Sequence, residues 1–277
     1  MGRYEEALRD FDRVIMLDER DAWALASRGQ VYRAMKRYGE ALRDFDRAIM
    51  LDEKYAWAMA QRGQVYQAME RYGEALRDFD RAIVLNEKWN WVIAQRGRSY
   101  RLMGRYEEAL RDFDRAIALD EKYFWAMAQR GQVYRAMKRY EEALADFDRV
   151  IALNKHSDWA WYNRALVDLL MGQLVAFHQH LSFAVTVAQS RLEDYPSEGS
   201  DFYRLRFNIA LYMFVDGSVE IAKNDYVRLI STCQIPERLQ TALGGLKEFL
   251  TIQPAQHELF QPVVHLLEGR LKELVGH

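Results

Sequence analysis

A repeat constrains this chain more than any other feature. Residues 1–13 read MGRYEEALRDFDR, and residues 103–115 read the same, 102 positions later. The run AMAQRGQVYQAM at 58–69 returns as AMAQRGQVYRAM at 126–137. Both intervals are whole multiples of 34 residues. A period of this length marks a supersecondary unit that buries its apolar face only by stacking on its neighbours. Within the unit that starts at Ala22, apolar or small residues fall at Leu25, Gly29, Tyr32 and Met35, then at Tyr38, Ala41, Leu42, Phe45, Ala48 and Ile49. Steps of three and four put them on one face of each of two helices, A and B. A turn at 35–38 joins the helices, and a break at 51–54 separates units.

The columns of this alignment carry a resemblance. Gly29, Gly63, Gly97 and Gly131 share one position of helix A, and Tyr32, Tyr66, Tyr100 and Tyr134 another. Helix B repeats Ala7, Ala41, Ala75, Ala109 and Ala143, followed by Phe11, Phe45, Phe79, Phe113 and Phe147. Small residues let two helix backbones approach while the rings fill the space beside them. In these columns the chain resembles the tetratricopeptide repeat family, most closely its bacterial multi-repeat arrays, and the resemblance covers residues 1–157. It implies an all-α, right-handed superhelical solenoid of antiparallel helix pairs. The family's proline after helix B is absent, with Glu53, Glu87 and Glu121 in its place, so helix B is expected to run on by a turn. The family's tryptophan near the start of helix A is replaced by Leu25, Met59, Ile93 and Met127. Tryptophan stands two places earlier, at Trp23, Trp57, Trp91, Trp125 and Trp159.

Beyond residue 157 the pattern decays. Asp158 to Met171 reads as a helix A, followed by a long helix over about 173–194, a loop at 195–200, and a helix from Phe202 capped by Asp201. Helices at 219–232, from Pro236 to about 252, and onward to about Val275 complete the chain. The expected organisation is a regular array over 1–157, opening on the helix B of a half repeat, and degenerate repeats with a C-terminal cap over 158–277. That opening half repeat aligns Met1 with Met103. It predicts an uncovered face of Ala7, Leu8, Phe11, Ile15 and Leu17, and so either a longer parent array or a homodimer through this helix.

The resemblance implies that helix A and the hairpin ends line a concave groove. Carried over residue by residue, this groove comprises Trp23, Gln30 and Arg33; Tyr55, Trp57 and Gln64; Trp89, Trp91, Arg98 and Arg101; Tyr123, Trp125, Gln132 and Arg135; and Trp159, with Ala26, Ala60, Ala94 and Ala128 between them. The net charge is only −2, yet 22–38 and 90–106 contain no acid, while Arg28, Arg33, Arg96, Arg98 and Arg101 fall there. A basic, aromatic groove suits a protein or peptide of acidic or aromatic character, through charge pairing and cation–π contact. The column Arg28, Arg62, Arg96 and Arg130 reads instead as structural, paired with helix-B aspartates. The Arg-Asp-x-Asp-Arg runs of helix B read as a solvated face with local ion pairs, and Met35, Met69, Met103 and Met137 as core.

No metal-ligand spacing, nucleotide loop or nucleophile motif occurs, so neither cofactor nor catalysis is expected. His178 and His180 are two apart and diverge on a helix. A single cysteine, Cys233, excludes an intrachain disulfide and fits a cytoplasmic location. No apolar run reaches membrane-spanning length, and no membrane partner is expected. The reading is a protein–protein interaction scaffold or sensor module. The alternatives are single-stranded nucleic acid in the same groove, which the near-zero net charge disfavours, and self-assembly through array ends.

Overall fold

The computed structural model describes residues 2–195 and 199–275. Among them every regular element is helical: α1 (Gly2–Leu17), α2 (Ala22–Ala34), α3 (Tyr38–Leu51), α4 (Ala56–Ala68), α5 (Tyr72–Leu85), α6 (Asn90–Leu102), α7 (Tyr106–Leu119), α8 (Phe124–Ala136), α9 (Tyr140–Leu153), α10 (Asp158–Leu170), α11 (Leu174–Glu193), α12 (Ser200–Val215), α13 (Val219–Thr232), α14 (Pro236–Ile252) and α15 (His257–Val275). None is long and apolar enough to cross a membrane. The chain forms two compact units, Met1–Met137 and Lys138–His277. The fold class is that of the tetratricopeptide solenoid.

In the first unit the two helices of each hairpin pack together, α2 on α3, α4 on α5 and α6 on α7, and successive hairpins meet through α3 and α4 and through α5 and α6. Phe45, Phe79 and Phe113 are fully buried. A Cβ added at Gly29, Gly63 or Gly97 would meet these rings at 3.2, 2.7 and 3.1 Å, so the glycine column is the socket for the phenylalanine column.

The turn from helix A to helix B repeats as well. Arg37, Arg71 and Arg105 donate their amides to the carbonyls of Tyr32, Tyr66 and Tyr100 at 2.8–2.9 Å, the six-to-one bond of a Schellman turn. Its left-handed residue is Lys36, Glu70 or Gly104, at φ of 59°, 59° and 73°.

Helix B does not run on past its expected end. It stops at Leu51, Leu85 and Leu119. Asp52, Asn86 and Asp120 then turn extended, and their side-chain oxygens accept from the amides of Lys54, Lys88 and Lys122 at 2.9, 3.2 and 3.0 Å. This Asx turn ends the helix where the family uses proline.

At the start of the chain Leu8 and Ile15 are buried, Ala7 and Phe11 are half-buried, and Leu17 is exposed. The open apolar face is therefore smaller than expected, because α2 packs on α1. The expected place of Met1 lies outside the described residues.

The second unit keeps the hairpin but not the columns. Gln173 and Ser218 donate to the carbonyls of Asp168 and Met213 at 2.8 and 2.9 Å, the same turn around Gly172 and Gly217. An apolar cluster including Phe177, Leu205, Phe214, Tyr226, Phe249 and Phe260 joins α11 to α15. Of the loop expected at 195–200, residues 196–198 lie outside the described residues. Helix α12 is not capped by Asp201. It starts at Ser200 after Gly199, whose φ of 140° is open to glycine, and Asp201 sits in the first turn, where its charge favours the helix dipole. Pro262 lies inside α15, and Pro254 opens the short 3₁₀ turn before it.

Candidate functional site

The arginine column of helix A is structural. Arg28 donates from Nε and Nη2 to both oxygens of Asp44, each at 2.7 Å, and from Nη1 to Asp12, also at 2.7 Å. Arg62 repeats the clamp on Asp78 and Asp46, and Arg96 on Asp112 and Asp80, all at 2.6–2.8 Å. Each guanidinium thus ties its helix A to two successive helices B. The bidentate bonds hold Arg28 and Arg96 above the ordinary guanidinium range, against the effect of burial.

These clamps reverse part of the expected charge segregation. They consume the aspartates of helix B and neutralise Arg28 and Arg96, which seemed from sequence to make the groove basic. Arg37, Arg71 and Arg105 are paired too, with Glu40, Glu74 and Glu108 at 2.5–2.8 Å, and lie over the rings of Tyr32, Tyr66 and Tyr100. The arginines beside the helix-B aspartates point outward. Arg9, Arg13, Arg43, Arg77, Arg81 and Arg111 are exposed and make no ion pair among the described residues, so the local pairs expected along Arg-Asp-x-Asp-Arg do not form there. The methionine column is not core either. Met69 and Met103 sit at helix-A C-caps and are exposed, and Met35 and Met137 are half-buried.

Arg33 and Arg98 of helix A have no carboxylate partner among the described residues. Arg33 is half-buried, and its Nε is buried with no hydrogen-bond acceptor. Arg98 is half-buried, and its Nη1 donates to Gln67 Oε1 at 3.1 Å. Desolvation pulls both below the ordinary guanidinium range, with Tyr38 acting against it at Arg33 and Tyr72 at Arg98. Gln67 is itself buried and donates to the Gln95 carbonyl and Ser99 Oγ at 3.0 and 2.9 Å, so it locks α4 to α6 directly beneath Arg98.

The aromatic residues form pairs. Tyr55 stacks on Trp57, Trp89 lies against Trp91, and Tyr123 stacks on Trp125, each with centroids 6.0 Å apart. All six rings are half-buried, which is what packing on the hairpin end combined with partial exposure requires. Trp23 lacks such a pair because Asp21 precedes it. It meets Phe11 edge-on and is 61% exposed. In the second unit Trp159 meets Phe147 in the same way.

Gln30 is exposed, and Gln64, Arg101, Gln132 and Arg135 are half-buried. The alanines between these columns do not line anything. Ala26, Ala60, Ala94 and Ala128 are buried. Successive A helices approach each other, which covers so short a side chain. The candidate surface of the first unit is therefore two bands, an aromatic one near the helix-A N-termini and an Arg/Gln one toward the C-termini. Sequence reasoning missed the Gln61 carbonyl, which is buried without a donor on the same face. Its spacing of one turn from both Trp57 and Gln64 was the available signal.

The second unit rewires the clamp. Arg164 continues the arginine column and Asp148 the outer aspartate column, with Nε to Oδ1 at 2.6 Å. The inner aspartate column becomes His180, and the tyrosine column becomes Asp168. Asp168 Oδ2 accepts from Arg164 Nη1 at 2.7 Å and lies 2.8 Å from His180 Nδ1. The ring of His180 stacks on Trp161. His178 points away, to Asp216 at 3.1 Å. No group of residues able to hold a metal occurs among the described residues.

Comparison with known proteins places these repeats. Models described as Tetratricopeptide repeat match residues 22–55, 56–88 and 89–156. A tetratricopeptide repeat protein from Parabacteroides merdae ATCC 43184 is 17% identical, with 96% of this chain and 93% of that one covered at a TM-score of 0.65. PilW, a type IV pilus biogenesis factor, is 22% identical over 80% of this chain and 98% of its own, at a TM-score of 0.58. YrrB, described as having an unusual peptide-binding site, is 23% identical over 64% and 91%, at a TM-score of 0.54. At these identities the likeness is one of fold. None of the curated proteins compared by sequence matches the chain.

Proposed function

Because residues 22–156 belong to the tetratricopeptide repeat family, we propose that this chain is a protein-interaction scaffold whose helix-A face binds a peptide segment of acidic and aromatic character. The observation that carries the reading is the pair Arg33 and Arg98. Arg28, Arg37, Arg62, Arg71, Arg96 and Arg105 are each matched to a carboxylate, whereas these two are half-buried and have none among the described residues. A desolvated charge without a counter-ion is costly, and a carboxylate supplied by a partner removes that cost. The paired rings at Tyr55/Trp57, Trp89/Trp91 and Tyr123/Trp125 supply apolar contact area at small entropic cost. Sequence periodicity divides the chain into the array 1–157, which carries this surface, and the decayed repeats 158–277.

Anisotropy titration of labelled acidic, aromatic-bearing peptides tests the proposal. Replacing Trp57, Trp91 and Trp125 together by alanine is expected to abolish binding with helicity retained. Arg33→Glu with Arg98→Glu is expected to weaken it about tenfold or more at low salt and less at high salt. Loss of helicity in the tryptophan variant, or indifference to both arginine changes, overturns the reading. Single-stranded oligonucleotides in the same assay test the nucleic-acid alternative through the slope of affinity against salt.

A further inference from the structure

We infer that the junction between α4 and α6 is a carboxylate anchor, in which Gln67 and Ser99 hold the Arg98 guanidinium in place for one acidic side chain of a bound peptide. This rests on the peptide-binding reading above and assigns its acid recognition to one residue and two supports.

Three residues depart from the repeat together at this junction. Successive helices A meet at α2 and α4, at α4 and α6, and at α6 and α8. At the first and third of these junctions the earlier helix supplies an arginine, and the later one a glutamine followed by a valine. These are Arg33 with Gln64 and Val65, and Arg101 with Gln132 and Val133. At the middle junction the order is reversed and the valine is lost, giving Gln67 with Arg98 and Ser99. One arginine and one glutamine remain, so the charge at the junction is unchanged. Val65 and Val133 are fully buried and so is Ser99, a place where burial alone favours valine.

The three departures make one hydrogen-bond network. Gln67 Nε2 gives its two hydrogens to the Gln95 carbonyl and to Ser99 Oγ, at 3.0 and 2.9 Å. Ser99 Oγ in turn donates to the Gln95 carbonyl at 3.3 Å. The amide can then face only one way, with Oε1 accepting from Arg98 Nη1 at 3.1 Å.

This sets Arg98 apart from Arg33, whose Nε is buried without an acceptor. Arg98 has no nitrogen buried without a partner among the described residues, so with Nη1 tied down its Nε and Nη2 reach solvent. Nε and Nη2 form the fork by which Arg28, Arg62 and Arg96 each hold both oxygens of an aspartate. In those clamps, too, Nη1 is tied elsewhere. Arg98 thus offers the same fork with its carboxylate still to be supplied. A guanidinium already fixed loses little freedom when the acid arrives.

The experiment uses the full chain and two labelled twelve-residue peptides of glycine, serine and alanine around a central tyrosine. One carries a glutamate two positions to either side of the tyrosine, the other glutamine at both places. The wild-type chain is expected to bind the glutamate peptide about tenfold more tightly. Gln67→Glu supplies Arg98 with an internal carboxylate. It is expected to cut that preference to about twofold or less, with the glutamine peptide bound as before. Gln67→Arg, Arg98→Gln and Ser99→Val together rebuild the flanking junctions at unchanged charge, and are expected to cut it to about threefold or less. Circular dichroism checks both proteins. If the triple change loses helicity, Ser99→Ala takes its place, with a fall in preference again expected. A preference kept in the triple change or its replacement overturns the positioning by Gln67 and Ser99. One kept in Gln67→Glu overturns the anchor at Arg98. Wild-type binding that ignores glutamate also overturns the anchor and leaves an aromatic-binding face standing, whereas a chain that binds neither peptide takes the peptide-binding reading with it.

Discussion

In the first unit one device is copied whole from hairpin to hairpin, while in the second its turn and one arginine–aspartate bond persist among junctions that are otherwise built differently. The copied device is an arginine clamped by two aspartates, a phenylalanine seated on a glycine, and a Schellman turn. In the second unit α10, α11 and α12 meet instead on one carboxylate. Asp158 is 1% exposed and accepts from Arg191 Nη1 at 2.6 Å, Asn208 Nδ2 at 3.0 Å and the Tyr212 hydroxyl at 3.1 Å. Burial and the nearby Asp158 charge hold the Tyr212 phenol well above its ordinary range, so it stays a donor. Below this junction an apolar cluster joins α11 to α15, with ion pairs such as Arg206–Asp225 and Lys247–Glu268 beside it. A copied device spreads stability over equal, replaceable parts, whereas a single-copy network concentrates it.

The contrast orders the expected losses. Asp158→Ala leaves a guanidinium and two polar groups without their acceptor and is expected to cost about 3–5 kcal/mol. Denaturant unfolding followed by circular dichroism measures it. Asp78→Ala removes one clamp, but Arg62 keeps Asp46 and its path to water, so the expected cost is about 1.5–3 kcal/mol. Equal losses at the two sites would dissolve the distinction between copied and concentrated stability.

Gly63→Ala pushes a methyl into the Phe79 ring and is expected to cost about 1–3 kcal/mol. Gly73→Ala, whose added methyl meets nothing within 4 Å, is expected to be neutral or stabilising by up to about 1 kcal/mol. A thermal-melt comparison of the two separates the packing role of glycine from its backbone role. The smallest effect is expected at Glu70→Gly. It relieves a left-handed glutamate but adds chain entropy to the unfolded state, for a net gain of up to about 1 kcal/mol. A destabilisation there would show that Glu70 makes a contact worth more than its strain.

What could be read before the structure was mostly what repeats. Hairpin ends at Met35, Met69 and Met103 and the helices 219–232 and from Pro236 follow from periodicity and turn residues, because both are local. Arg28 and Arg33 differ by five positions and look alike in a charge count; the reading of the Arg28 column as structural holds, and Arg33 stays unclamped. The reading failed at the methionine column, which lies exposed or half-buried instead of in the core. The missing proline suggested a longer helix B, and the Asx turn at Asp52 supplied the stop from a residue that was visible but not weighed.

The sequence by itself determined the fold class, the repeat register and the residues that line each column, since a 34-residue period and a 3.6-residue helical period leave little freedom. Tertiary structure decided the partner and geometry of each charge. Whether an arginine is neutralised depends on a carboxylate 16 residues away, on another helix and at the right height, as Asp44 is for Arg28 and Asp78 for Arg62. It also decided that Ala26 and Ala60 are sealed while Trp57 is partly open, because a short side chain vanishes between close-packed helices and a large ring at the helix end does not.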